Sequence, residues 1–417
     1  MTAVERPWFA LIESNTTGSG RQFCVTAAER GMRPLVLTTD PGRYPYLASD
    51  GFDHLRCDTG DTAAVLAACR DLAAGSGLAG VASSSEYFVP LAAETARTLG
   101  LPGADPEALS RCRDKARQRE VLAAAGLPVP RFGAATTPRQ ARDLARLIGL
   151  PVVVKPTTGS GSSGVRLCRT EDEAAGQAGD LLAVTTNERG MPVPAVVLVE
   201  EHVTGPEFSV ETFDGRAVEV VGKHLGPTPY FVEIGHDVPA SAPAADLAAL
   251  REVAERAATA LGVAWGATHT ELRMTAAGPV VIEVNPRLAG GMIPTLIDLA
   301  SGIDLVDLVV ARGSGQEPSE PGARAGGAAI RFLVPTAEGV LDGVAGLAEA
   351  RDVPGVHLVR VTAGPGTRIR LTRSFRDRIG YAIATGPDAG AAAERALSRI
   401  RLRLSRPAPT AEPSRPV

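Results

Sequence analysis

The run Val281-Ile282-Glu283-Val284-Asn285-Pro286-Arg287 sets two polar side chains two residues apart in an otherwise apolar stretch. Residues i and i+2 of a strand share a face, so Glu283 and Asn285 point the same way. Glu271 stands on the preceding strand and can converge on that side. Two carboxylates and an amide oxygen make a hard-oxygen set suited to Mg2+, which keeps waters and phosphate oxygens as its other ligands. Arg287 comes next on that face and can hold a phosphoryl group through two parallel N–H bonds. A buried salt-bridge network is the competing reading. It must account for two acids, an arginine and an amide in one apolar strand pair.

A second cluster opens at Lys155, at the end of an apolar run, and continues through Thr157-Thr158-Gly159-Ser160-Gly161-Ser162-Ser163-Gly164. Three glycines and five hydroxyl side chains in eight residues make poor core. They suit a flap whose backbone N–H groups wrap a polyphosphate, with Lys155 adding charge. The lysine precedes the glycines, so this is not the G-x-x-x-x-G-K-[ST] loop. An ordinary flexible hairpin is the alternative. A third cluster is Glu200-Glu201-His202-Val203, followed by Gly205-Pro206-Glu207-Phe208-Ser209-Val210-Glu211. Carboxylates at a strand edge can accept ribose hydroxyls, and exposed backbone there can pair with an adenine edge. A solvated acidic strand end is the plainer reading.

These residues need strands and helices to place them. Apolar runs and turn signals predict strands at 8–12, 34–38, 53–57 and 79–83. Helices at 21–30 and 62–74 alternate with them, the pattern of a parallel α/β unit. The glycine-rich turn 17–20 follows the first strand, but Phe23 stands where a full G-x-G-x-x-G needs its third glycine. Helices are expected at 117–125, 138–148, 171–182, 244–261, 293–300, 304–312 and 388–399. Strands are expected at 151–156, 196–201, 207–213 and 217–221, the last two joined by a hairpin turn at Asp214-Gly215. A further strand pair is read at 268–274 and 279–284, with late strands at 329–334, 356–361 and 381–384. Residues 126–130 read as an extended crossing, 313–327 as a loose joint, and 405–417 as a Pro-rich disordered tail.

At roughly 150 residues per domain, 417 residues suggest about three domains. The 43 basic and 47 acidic residues leave a net charge of −4, which argues against a nucleic-acid binder with a basic face. Two Trp and five Tyr argue against base-stacking platforms. Cys24, Cys57, Cys69, Cys112 and Cys168 are scattered without metal-ligand spacing, so they read as small buried thiols of a reducing compartment. No signal segment and no run of ~20 apolar residues appears, so a cytoplasmic protein without a membrane span is expected. The glycosylation triplet Asn15-Thr16-Thr17 has no secretory signal to give it meaning.

With these parts in this order, the chain resembles the ATP-grasp superfamily of carboxylate–amine ligases, most strongly over residues 114–304. Closer phrases resemble its L-amino acid ligase branch. They are Glu13-Ser14-Asn15-Thr16-Thr17-Gly18-Ser19-Gly20, Tyr230-Phe231-Val232-Glu233-Ile234-Gly235-His236, His269-Thr270-Glu271, Asn285-Pro286-Arg287-Leu288-Ala289-Gly290-Gly291 and Gly380-Tyr381-Ala382-Ile383-Ala384-Thr385-Gly386.

The resemblance implies an α/β and α+β architecture. A Rossmann-like parallel α/β domain (1–113) precedes an ATP-grasp fold of two α+β subdomains (114–190 and 191–320). A C-terminal α/β segment (321–404) packs on that core, with a disordered tail at 405–417. By motif, Lys115 and Lys155 match the phosphate-contacting lysines, and Ser160, Gly161, Ser162, Ser163 and Gly164 the closing loop. Glu200, Glu201 and Val203 match the adenine-edge segment, Glu201 standing where relatives often carry lysine, and Glu207 matches the ribose acceptor. Glu271, Glu283 and Asn285 match the ligands of two Mg2+ ions, with Mn2+ as a substitute. Arg287 matches the residue that stabilises an acylphosphate and the tetrahedral intermediate. Lys155 and His269 complete the expected catalytic set, and His236 and His269 are expected to hold the substrate carboxylate or tune the amine. Glu86, Tyr230, Glu233, His236, Arg287, Gly290 and Gly291 are expected around the substrates.

The implied reaction consumes ATP and joins a small carboxylate, an amino acid, to an amine, another amino acid, giving a dipeptide, ADP and phosphate. Homodimerisation is a family-level expectation. The Ala/Gly/Arg/Pro bias fits a GC-rich bacterium, where such ligases also serve natural-product pathways. Two alternatives stay open. One is a biotin-carboxylase-like or purine-pathway enzyme acting on bicarbonate or a ribotide, its biotin version weakened by the lack of a Met-Lys-Met motif. The other is a nucleotide-binding regulator without turnover, against which the complete Lys, Glu, Asn and Arg set argues.

Overall fold

The computed structural model describes residues 6–15, 19–159, 161–187 and 189–405. Thr16, Thr17 and Gly18 of the glycine-rich turn, Ser160 of the flap and the tail 406–417 lie outside the described residues.

The N-terminal part is a four-stranded parallel sheet in the order Asp53–Arg56, Arg33–Thr38, Trp8–Ile12, Leu78–Ala82. Its central strand is buried along almost its whole length, as expected where helices cover both faces. The helices Gly20–Glu29, Pro45–Asp50 and Thr62–Ala74 make the crossovers, and Val89–Thr98 follows the last strand. Gly20 opens the first of them at a point of close approach. A Cβ there would lie 2.3 Å from Ser14 Oγ and 2.5 Å from the Asn15 carbonyl oxygen.

A second, antiparallel sheet runs Phe132–Ala135, Val197–Glu201, Val152–Pro156, Arg166–Cys168. Helices Pro138–Ile148 and Glu171–Leu182 bury Ala141, Ala145, Ile148, Ala174 and Ala178 against it. The second helix starts in a capping box, Thr170 accepting from the Glu173 backbone while the Glu173 carboxylate returns to the chain.

The central sheet has eight antiparallel strands. Their order is Gly278–Asn285, Ala267–Thr275, Glu207–Phe213, Arg216–Leu225, Glu233–Val238, Ala328–Leu333, Gly380–Thr385, Val356–Val361. A three-stranded sheet of Arg368–Ile369, Gly339–Ala345 and Arg401–Ser405 lies beyond it. One apolar cluster links the N-terminal sheet to the central one, running from Phe9, Leu11 and Phe23 through Leu296 and Val310 to Ile330 and Ile383. The architecture is the expected one: a parallel N-terminal domain, antiparallel sheets around a cleft, and a C-terminal domain.

Several local expectations change. Residues 313–327 are not a loose joint. Helix Leu305–Ser314 enters the segment, and the Gly322, Ala325 and Gly326 amides bond back to the Gly302, Leu299 and Ala300 carbonyls. Arg30 pins it further through Gln316, Glu317 and Ser319. The expected tail starts too early, because Ser405 ends a strand paired to Gly339–Ala345. Glu233–Val238 is a strand that apolar patterning does not reveal, since its residues include Glu233, Gly235, His236 and Asp237. The five cysteines are free, four of them buried. Among the described residues no helix is long and apolar enough to cross a membrane.

Candidate active site

A cleft lies between the second sheet and the central sheet. Its far wall is the hairpin Ala267–Thr275 / Gly278–Asn285, whose register sets Glu271 opposite Glu283 and His269 opposite Asn285. Glu271, Glu283, Asn285 and Arg287 all line the cleft. Lys115, at the start of helix Lys115–Ala124, reaches Glu283 at 3.0 Å and donates to the Gly159 carbonyl at 2.7 Å. Glu271 lies 3.1 Å from both Lys223 Nζ and His269 Nε2. His269 Nδ1 is 2.6 Å from Glu211. Burial alone would lower the His269 imidazole, but Glu211 and Glu271 overcome it and carry the pKa up to about 9. His269 is therefore protonated at neutral pH.

The donor set answers whether Mg2+ fits. Two carboxylates and the Asn285 amide are hard-oxygen ligands, and each carboxylate is already faced by a lysine ammonium. Positive charge is thus what this corner accommodates. Among the described residues no three His, Cys, Asp or Glu side chains are grouped to hold a metal ion by themselves. The set suits a cation that brings phosphate oxygens with it.

Arg287 meets Glu86 through Nε and Nη2, 3.2 and 2.8 Å from the same carboxylate oxygen, and its Nη1 donates to the Leu288 carbonyl. Burial would raise the Glu86 carboxyl, yet Arg287 and Lys115 hold it below its ordinary value. Glu86 is thereby brought from the N-terminal domain to the edge of the cleft.

On the other wall, Lys155 lies 2.5 Å from Glu200, and the second Glu200 oxygen takes Arg119 Nε at 2.5 Å. Glu201 pairs with Arg131 at 3.0 Å on the rim, and the Val203 carbonyl accepts from Arg273. Glu207 is held by Lys223 at 3.1 Å and Arg273 at 2.9 Å. In the flap, Gly161 (φ +66°) packs on Phe375, and Ser162 (φ +60°) donates its hydroxyl to the Phe231 carbonyl at 2.7 Å. Ser163 lines the cleft. Gly164 turns away toward Leu181 and Pro156.

The expected substrate residues divide. Glu233 lines the cleft, between Lys223 at 2.8 Å and Arg378 at 2.6 Å. His236 lies behind it, fully buried and edge-on to Phe332, with no hydrogen bond to either ring nitrogen. Burial pushes its pKa down to about 3, so the ring is neutral. Gly291 abuts that ring: a Cβ would lie 2.6 Å from Nε2. Gly290 faces open space, and Tyr230 stands under the Arg373 guanidinium, off the cleft lining.

Glu211, which the sequence sets in the carboxylate cluster with Glu207, faces His269. Sequence reasoning missed Arg119, Lys223, Arg273 and Arg378. One of these carries a readable signal: Arg119 sits four residues after Lys115, on the same helix face.

Comparison with known proteins adds to this geometry. Residues 148–295 match the ATP-grasp domain family, and residues 331–405 match the L-amino acid ligase C-terminal domain 2 family. A protein of Sinorhizobium fredii, y4rH, is 37% identical over 382 residues, covering 92% of this chain and 79% of that protein. Alanine–anticapsin ligase of Bacillus subtilis is 27% identical over 55% of this chain, which spans 52% of that ligase's length. The crystal structure of an L-amino acid ligase from Bacillus licheniformis superposes with a TM-score of 0.77 at 22% identity, covering 96% of this chain and all of that one. With an ATP-grasp domain and an L-amino acid ligase C-terminal domain in one chain, the protein belongs to the L-amino acid ligase family of ATP-grasp ligases.

Proposed function

We propose that the protein phosphorylates the carboxylate of one amino acid with ATP and passes the acyl group to the amine of another, forming a dipeptide with ADP and phosphate. The observation that carries this reading is the convergence of Lys115, Glu271, Glu283, Asn285 and Arg287 on one cleft beside a glycine-rich flap. A free carboxylate is a poor acyl donor because its leaving group would be oxide, and phosphorylation supplies a better one. Lys115 and Lys155 are placed to balance triphosphate charge. Glu271, Glu283 and Asn285 would hold Mg2+, which when bound supplies further neutralisation of the crowded phosphate oxygens. The flap shields the acylphosphate from water. Arg287, oriented by Glu86, stabilises the acylphosphate and the oxyanion that forms when the amine attacks.

The two histidines take different parts in this reading. His269, charged between two acids, positions Glu271 and takes no proton. His236 is neutral and fully buried behind Glu233, where it packs on Phe332 and backs the substrate end without taking a proton. The match of residues 331–405 to an L-amino acid ligase domain favours an amine acceptor over a bicarbonate or ribotide reaction. The test is phosphate release across pairs of amino acids, with mass spectrometry of the product. Turnover that releases pyrophosphate overturns the reading.

A further inference from the structure

Lys223 occupies an unusual position for a lysine. It lies in strand Arg216–Leu225 with its side chain 1% exposed, and its ammonium meets three carboxylates: Glu233 at 2.8 Å, Glu207 at 3.1 Å and Glu271 at 3.1 Å. The three acids come from three other strands, and all three line the cleft. Each is shared with one further cation: Glu207 with Arg273, Glu233 with Arg378, and Glu271 with His269. With Glu211 on the far side of His269, four cationic groups face four carboxylates. The cluster is therefore close to neutral before any ligand arrives. As they stand, the three carboxylates are not grouped to hold a metal ion. Without the Lys223 charge they face one vacated point, where a divalent cation can draw them together.

We propose that Lys223 is a built-in counter-ion that holds this carboxylate cluster in place of a divalent metal, so that the nucleotide-free site takes up no Mg2+ by itself and the metal enters only with the triphosphate. The inference rests on the assignment of Glu271 as a metal ligand in the ligase reading. It makes Lys223 a positioning residue: it acts through Glu271, Glu207 and Glu233. The arrangement has a chemical consequence. Glu271 stays ionised and correctly placed without metal, and the phosphate oxygens needed to complete the metal's shell arrive in the same event as the metal.

The experiment is a Mn2+ titration of the full-length protein, read by the EPR signal of free Mn2+, without nucleotide and with a non-hydrolysable ATP analogue. The wild type should bind Mn2+ at least about tenfold more weakly without the analogue than with it. Lys223→Met should tighten nucleotide-free binding by at least about tenfold, because a unit positive charge beside the site has gone. Lys223→Arg should keep the wild-type behaviour, and adding Glu271→Gln to Lys223→Met should remove the new site. Equally tight Mn2+ binding by the wild type with and without the analogue overturns the inference, whatever Lys223→Met does, and leaves the ligase reading standing. A folded Lys223→Met protein with unchanged nucleotide-free affinity overturns it too. No Mn2+ binding even with the analogue removes the metal assignment, and the inference falls with it.

Discussion

The two carboxylate oxygens of Glu200 are divided between cations from different elements: Oε2 lies 2.5 Å from Lys155 Nζ and Oε1 2.5 Å from Arg119 Nε. All three side chains are buried. Burial alone would raise the Glu200 carboxyl, but Arg119 and Lys155 hold it below its ordinary value. One acid thus ties the lysine strand to the helix that carries Lys115. Removing one member of such a group leaves an uncompensated charge. Arg119→Met should destabilise the protein by about 3 kcal/mol, seen as a lower midpoint in urea unfolding. An unchanged midpoint would show that the group is not structurally coupled.

The His269 environment predicts a pH dependence of stability. Its folded pKa of about 9 lies above the ordinary histidine value of 6.5, so its contribution is complete below that ordinary value and is lost as pH rises through about 9. The shift corresponds to roughly 3 kcal/mol. Unfolding free energy should therefore fall between pH 7 and 9, and His269→Gln should flatten that fall. Urea melts across this range check it. A wild-type curve already flat there would contradict the charged state assigned to His269.

The flap has a close contact that a single methyl group tests. At Gly161, φ is +66°, and a Cβ would lie 2.2 Å from Phe375 Cδ1. Gly161→Ala must lift the flap from Phe375 or strain its backbone. Left-handed backbone at a non-glycine residue costs roughly 1 kcal/mol, and the displaced flap adds to it, so the ATP KM should rise about tenfold with little change in melting temperature. Steady-state kinetics at varied ATP measures this. An unchanged KM would remove the flap from nucleotide binding.

Arg287 and Glu283 are each expected to be indispensable for turnover and dispensable for the fold. Arg287→Ala removes the group proposed to stabilise the acylphosphate, and Glu283→Gln removes a proposed metal ligand. Each should lower kcat by at least about a hundredfold while circular dichroism still shows a folded protein, with a lower melting temperature for Arg287→Ala because it strands the buried Glu86 carboxylate. Full activity in either variant rejects the site assignment.

The legible parts of this molecule are those whose signal is local. Glu283, Asn285 and Arg287 announce themselves by polar spacing in an apolar strand, and Lys155 by the glycines that follow it. The alternating periods of the first hundred residues give the parallel sheet directly. What stayed hidden depends on pairing between distant segments. Lys223 is an ordinary lysine in sequence, and only the strand order brings Glu207, Glu233 and Glu271 around it. Arg378 is one of several arginines in its stretch until the C-terminal turn delivers it to Glu233. Strand Glu233–Val238 escaped because its polar residues are satisfied by ion pairs or enclosed by burial, which composition does not encode.

The central claim is that ATP activates an amino acid as an acylphosphate. Single-turnover incubation of the enzyme with labelled ATP, Mg2+ and pooled amino acids tests it most directly. ADP and phosphate should appear in equal amounts, only when amino acids are present, and be matched by a new amide-linked product in the mass spectrum. AMP and pyrophosphate, or ATP hydrolysis that ignores the amino acids, would contradict it.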